Sequence, residues 1–305
     1  MTFFHNVIVF LTLLSSVRLD EIDPTPPPVK AKATVSLGYH HFFSGQDVEM
    51  TCSVPDDPLA SWTYEWFHEG KLEGSSEVYQ LKKARVLQSG KYTCKGQKLI
   101  TDWPYTVETI PSDPLNIDVD GGWAILQTSY EPLLIQETAT LTCRVRDGAF
   151  LSDAIFYKGE VEIQRQKGSN LVLSSLTLED KGMYKCTAMW LANQEYQSSQ
   201  SLPSLLNVLD KLETPEMKFV SGRGVVKRGT KVSFNCITKV NAREADLNLE
   251  YFYLKDGERL GPASAQDTYV ISFVSKDDTG AYTCKVRIRS LNLERWSNKL
   301  SLRVL

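Results

Sequence analysis

Six cysteines fall as three pairs, Cys52 with Cys94, Cys143 with Cys186 and Cys236 with Cys284, at nearly constant separations of 42, 43 and 48 residues. A recurrence at that spacing means one structural unit used three times, and it restricts the fold more than any compositional figure does. Six cysteines could pair in many ways, but the repeat favours sequential bridges inside each unit. Ahead of each first cysteine the chain alternates: Val48, Met50, Cys52 and Val54; Ala139, Leu141, Cys143 and Val145; Val232, Phe234 and Cys236. That period of two belongs to a half-buried strand and puts each cysteine on the core face, so the expected class is all-β.

Each second cysteine closes a fixed cluster: Ser89-Gly90-Lys91-Tyr92-Thr93-Cys94, Asp180-Lys181-Gly182-Met183-Tyr184-Lys185-Cys186 and Asp278-Thr279-Gly280-Ala281-Tyr282-Thr283-Cys284. A tyrosine two residues before the cysteine is the tyrosine corner of the immunoglobulin fold, its hydroxyl tied to backbone and its ring in the core. Between the cysteines, Trp66, then Phe156 or Ile155, then Tyr253 occupy the place of the aromatic that packs on the bridge. We therefore expect three tandem immunoglobulin-like β-sandwiches of C2 or intermediate type, because the short separations leave little room for the extra strands of variable-type domains. Composition places the boundaries: a signal peptide over 1–17, a Pro-rich leader over 18–29, and domains over 30–111, 112–209 and 210–305. Pro24-Thr25-Pro26-Pro27-Pro28 cannot join a sheet ladder, Pro111-Ser112-Asp113-Pro114 reads as the first joint, and Asp210 to Pro215 reads as the second. Joints this short predict domains in contact.

Export follows from the apolar stretch Val7 to Leu14 and the small Ser15 and Ser16 after it. No later run reaches the roughly 18 apolar residues of a membrane span, so the expectation is a secreted, extracellular protein without direct membrane insertion; a receptor ectodomain would read the same. Lys plus Arg number 34 and Asp plus Glu 37, a net charge of −3, which argues against nucleic acid as a partner. With all six cysteines in bridges, no thiol is left for nucleophilic or metal chemistry. The neighbours His40 and His41 read as exposed structural histidines, Asp277-Asp278 and Glu179-Asp180 as turn residues, and Gly222-Arg223-Gly224 as a β-turn. No enzyme, metal site or cofactor is expected, and the absence of any Asn-x-Ser/Thr triplet predicts a surface without N-linked sugar.

Several segments resemble one family. Lys30 to Leu37 resembles the opening strand of Fc receptors. Ser112-Asp113-Pro114-Leu115 followed by Gly122-Trp123-Ala124-Ile125-Leu126-Gln127 looks like their first joint. Leu249 to Gly257 and Ser297 to Val304 resemble the third domain of the high-affinity IgG receptor and of Fc-receptor-like proteins. The resemblance implies a chain that binds the Fc region of immunoglobulin, of undetermined class, mainly through its second domain, and that does not signal by itself. In that family two tryptophans sandwich an Fc proline. Trp123 matches the first, while Arg146 holds the position of the second, where a guanidinium plane can stack on a ring. Trp190, read as a loop residue after Cys186, and Tyr196 beyond it complete the implied partner-binding set. Trp103 and Trp296 read as packing residues on late strands. The alternative reading is a secreted immunoglobulin-superfamily protein that binds another immune surface receptor or an MHC-like ligand.

Overall fold

Strand Val48–Ser53 carries out the predicted alternation, with Val48, Met50 and Cys52 buried and Glu49 facing water. The computed structural model describes residues 29–100, 105–221 and 224–305. The expected signal peptide, the leader as far as Pro28, Trp103 and the Gly222-Arg223 step lie outside the described residues. In the first sandwich, Val48–Ser53 pairs antiparallel with Lys32–Val35 and Val78–Leu81. The facing sheet runs His41–Phe43, Leu115–Asp120, Gly90–Ile100, Thr63–His68 and Lys71–Gly74. Cys52–Cys94 joins the two layers, and fully buried Trp66 lies opposite Cys94 in the register.

The plan recurs twice. Ala124–Gln127, Ala139–Val145 and Asn170–Leu173 face a sheet of Val161–Gln166, Leu151–Lys158, Gly182–Ala192 and Glu195–Gln200, with Cys143–Cys186 between them. Glu216–Ser221, Val232–Ile237 and Thr268–Ile271 face a sheet that includes Leu300–Val304, Gly280–Ile288 and Leu249–Lys255, with Cys236–Cys284 between them. Phe156, not Ile155, lies opposite Cys186, and Tyr253 lies opposite Cys284. The facing sheets are completed by Tyr105–Glu108 in the first sandwich, Ser204–Leu206 in the second, and Val225–Val226, Glu258–Arg259 and Leu293–Trp296 in the third, and three strands against this longer layer is the C2 arrangement. No helix among the described residues is long and apolar enough to cross a membrane.

One boundary moves. Leu115–Asp120 pairs with Gly90–Tyr92 and with His41–Phe43, so it is the last strand of the first sandwich, although composition assigned it to the second. Pro111 and Pro114 mark a break inside a domain. There the chain leaves the outer half of Gly90–Ile100, where Tyr105–Glu108 pairs, and crosses to its beginning. Proline has no N–H to give a ladder and therefore suits such a crossing as well as it suits a linker.

Local chemistry is repeated with the fold. The hydroxyls of Tyr92, Tyr184 and Tyr282 donate to the carbonyls of Gln88, Asp180 and Asp278, each at 2.7 Å. The Asp180 and Asp278 carboxylates accept from the backbone N–H of Thr177 and Ser275, which gives these turn acids their structural role. The backbone N–H of each second cysteine donates to a serine hydroxyl, Ser112, Ser201 or Ser297, just ahead of the final strand. The histidines depart from expectation. His41 is buried and its ring lies parallel to that of His40, against which the Tyr130 ring of the second domain is set edge-on. Burial pushes the His40 pKa below the ordinary value, with Asp118 opposing and His41 reinforcing the shift.

Burial, with help from the Asp180 charge, pushes the Tyr184 phenol from 10.0 up to about 12. The folded state disfavours the phenolate, so this contribution is complete below pH about 10 and is lost as pH rises towards 12. Urea midpoints measured from pH 8 to 12 should stay level and then fall within that window. Tyr184→Phe should cost about 1 kcal/mol at pH 8 through the lost hydrogen bond. A level midpoint throughout would refute the assignment.

Candidate functional site

At the end of the second domain nearest the first, three segments converge: the entry into Ala124–Gln127, the turn Arg146–Gly148, and the hairpin joining Gly182–Ala192 to Glu195–Gln200. Asn193 and Gln194 both have positive φ, 50° and 68°, the backbone of a two-residue hairpin turn whose twist matches its strands. Asp147 and Gly148 also lie at positive φ and fold the second segment back sharply.

Trp123 is 55% exposed, and its carbonyl accepts from the Arg146 backbone N–H at 3.0 Å. One face of its indole lies on Trp190, with ring centroids 6.3 Å apart and planes 24° from parallel. Trp190 is a strand residue, opposite Leu151 and Gln197 in the register, and only 6% exposed. The sequence reading placed it in a loop. The polar residues after it belong to the hairpin tip, so Trp190 is one of the alternating inward residues of Gly182–Ala192. Trp123 is thus the outer plate of a stacked pair, held rigidly with one face open.

Arg146 turns away from this surface. Nε donates to the Gly122 carbonyl at 3.0 Å, Nη1 to the Ser44 carbonyl at 2.9 Å, and Nη2 to the Asp120 carbonyl at 3.0 Å and the Ser44 hydroxyl at 3.3 Å. Its guanidinium lies 4.9 Å from the Phe43 ring centroid. The ring stack expected for a partner is therefore made with Phe43 of the first domain. The reason is saturation: a planar donor fork finds its acceptors along Ser44, Asp120 and Gly122 and becomes the clasp of the joint. Arg144 to the Tyr39 hydroxyl at 3.5 Å and Gln127 to the His41 carbonyl at 3.3 Å add to the same joint.

Tyr196 is 81% exposed, across from exposed Leu191 in the hairpin. It borders an open groove of about 670 Å³ whose other walls include Phe150, Leu151, Lys167 and Ser169. Sequence reading missed Phe150, which is more exposed still. Its signal was an aromatic placed two residues after the Asp147-Gly148 turn, where no alternation carries it inward. Trp296 is half-exposed and lies under the Lys285 ammonium, 5.4 Å from the ring centroid, so it is not a packing residue alone.

A family model described as immunoglobulin domain matches residues 30–119 and 123–208. Among curated proteins, Fc receptor-like A of Rattus norvegicus is 23% identical over 63% of this chain and 56% of its own length. The high affinity immunoglobulin epsilon receptor subunit alpha of Mus musculus is 25% identical over 56% of this chain and 64% of its own. The low affinity immunoglobulin gamma Fc region receptor III-A of Bos taurus is 23% identical over 69% and 78%. The chain thus spans about three fifths of the length of the first two relatives.

The joint gives a direct prediction. Arg146→Ala removes hydrogen bonds from a charged donor, an effect of about 2 kcal/mol, and should lower the stability of the first two domains while broadening the distance distribution in small-angle scattering. Arg146→Lys should rescue little, since one ammonium cannot serve these four acceptors. Unchanged melts and scattering for Arg146→Ala would remove the clasp from the account.

Proposed function

The chain belongs to the immunoglobulin-domain family, and from that premise we propose that it is a secreted Fc-receptor-like protein that binds the Fc region of immunoglobulin through its second domain. The observation that carries this reading is the Trp123–Trp190 stack, an aromatic plate open on one side beside the joint of two sandwiches. Proteins similar over more than half the chain are named as receptors for immunoglobulin epsilon and gamma. Exposed rigid aromatics are the side chains that most often dominate protein interfaces, and Trp123, Phe150 and Tyr196 supply three at one end of a domain. The ligand proline of a tryptophan sandwich would meet Trp123 on one side only, so Phe150 and Tyr196 stand in for the second wall. Catalysis has no part in this reading, and the chain does not signal by itself.

A second reading rests on Arg146. With the second wall committed to the joint, the same face fits an immune surface receptor or MHC-like ligand that brings a flatter apolar surface to the Phe150 and Tyr196 groove.

Purified immunoglobulins of each class, passed over the immobilised chain, separate the two. Trp123→Ala should weaken Fc binding roughly thirtyfold, about 2 kcal/mol, with little change in melting temperature. Trp190→Ala instead hollows the core and should cost about 3 to 5 kcal/mol of stability. Normal binding by a folded Trp123→Ala variant would sink the site, and no binding to any class would sink the Fc reading. In animal cells the product should appear in the medium, with a mass unchanged by N-glycosidase; retention on washed membranes would contradict secretion.

A further inference from the structure

Each sandwich is closed at its lower end by the same clasp of two turns. The N–H of Gly45, Gln136 and Gly229 donates to the carbonyl of Ala84, Leu176 and Val274, each at 2.7 Å. The N–H of those three residues returns to the carbonyls of Gln46, Glu137 and Thr230. Gly45, Gln136 and Gly229 all take positive φ there. The clasps are thus equivalent residue by residue, which makes their differences informative.

In the first two domains this end receives the next domain, and what meets it is an arginine. The first clasp gives the Ser44 carbonyl to Arg146. The second gives the Glu137 carboxylate to Arg243, which also donates to the Pro132 carbonyl at 2.9 Å. Both ends offer oxygen acceptors to the incoming arginine, the first although its turn also carries Lys82, paired with Asp47, and Lys83 and Arg85. The third clasp carries its cations on both turns. Arg228 replaces Ser44 and Ile135, Lys231 replaces Asp47 and Thr138, and Lys276 replaces Val86 and Leu178, with Lys227 one residue earlier. All four are exposed, and none forms an ion pair among the described residues. Asp278 is bonded to Ser275, which leaves Asp277 as the carboxylate beside them in these turns. Phe273, 80% exposed, stands where the other clasps have Lys83 and Ser175. The hydrogen bonds of Gly229 and Val274 hold the two turns together, and the Thr230 hydroxyl donates to the Lys227 carbonyl at 2.8 Å within the first of them. Charge is also segregated along the chain: residues 211–305 hold 17 Lys and Arg against 11 Asp and Glu, net +6, while residues 1–210 hold 17 against 26, net −9.

We propose that the lower end of the third domain, Lys227, Arg228, Lys231 and Lys276 around Phe273, is a docking site for a sulfated polysaccharide chain. At the third end Thr230 stands where Glu137 receives Arg243, and Lys231 stands where Asp47 offsets Lys82, so an arginine of the kind that occupies the other two ends finds no equivalent carboxylate and a like domain is not its complement. A linear polyanion is: sulfates pair with the four cations, and the open phenyl face packs against a sugar ring. Disulfide-linked domains persist in the oxidising extracellular space, where sulfated chains are the prevailing polyanions and anionic lipid is scarce. Binding of this kind proceeds by counterion release and weakens steeply with salt.

The full chain is passed over immobilised heparin in 0.15 M salt, beside fully desulfated heparin and phosphatidylserine vesicles. Heparin alone should retain it. A variant carrying Lys227→Ser, Arg228→Ser, Lys231→Thr and Lys276→Ser should lose about tenfold or more in affinity, with the slope of log affinity against log salt shallower by about 3. Phe273→Ser should weaken binding with the salt slope unchanged. The control variant Lys71→Ser, Lys91→Ser, Lys239→Ser and Lys299→Ser removes four equally exposed cations elsewhere and should bind as the parent does. Thermal melts establish that each variant is folded, and immunoglobulin binding, which does not involve this end, should survive in all of them. Equal losses in the two quadruple variants would mean diffuse attraction and overturn the site. Retention by desulfated heparin, or by the vesicles in place of heparin, would overturn the assigned ligand.

Discussion

The cross-sheet disulfide with an aromatic packed against it is the constraint on which everything else in this molecule rests. Each unit has a core of fewer than twenty buried side chains, and the three-stranded layer alone could not hold its place. A bridge closing a loop of this length contributes about 4 kcal/mol in the chain-entropy view, enough to decide whether a small sandwich is stable. It also fixes the register. Trp66, Phe156 and Tyr253 lie directly opposite the second cysteine, so the tyrosine corner two residues earlier falls over the turn whose carbonyl it binds. Once that strand is set, the serine that takes the cysteine N–H sets where the chain crosses to its final strand.

The same repetition builds the joints. Because the turn pair at the lower end of each sandwich is alike in backbone, a single arginine from the following domain can find carbonyls there, as Arg146 does at the first joint. Such a clasp limits the swing between domains and places the Trp123 face at a defined angle to the first sandwich. A tryptophan at position 146 would have no comparable hold on Ser44 and Asp120.

Stacking gives the candidate surface its character. An indole alone at a domain edge tends to fold onto its own domain; Trp123 is kept open because the ring beneath it, Trp190, already fills the position it would collapse into. The aromatic area beyond it is dispersed over Phe150 and Tyr196, on turns held by positive-φ backbone and hydrogen-bonded strands. Large contact area on preorganised backbone loses little entropy when a partner binds.

The sequence by itself determined the unit and its number, the three bridges and the tyrosine corners. These follow from contacts a few residues apart or from a spacing repeated three times, and local periodicity encodes both. It misplaced the first boundary because proline marks a ladder break whether or not a domain ends there. The repeated serine ahead of the last strand, Ser112 matching Ser201 and Ser297, carried the better signal. The directions of Trp190 and Arg146, the burial of His41 and the contrast among the three lower ends were decided by tertiary structure alone. Trp190 is turned inward by pairing with a strand some forty residues away, and Arg146 by acceptors on another domain. A side chain whose partners lie so far along the chain has no local pattern from which its direction can be read.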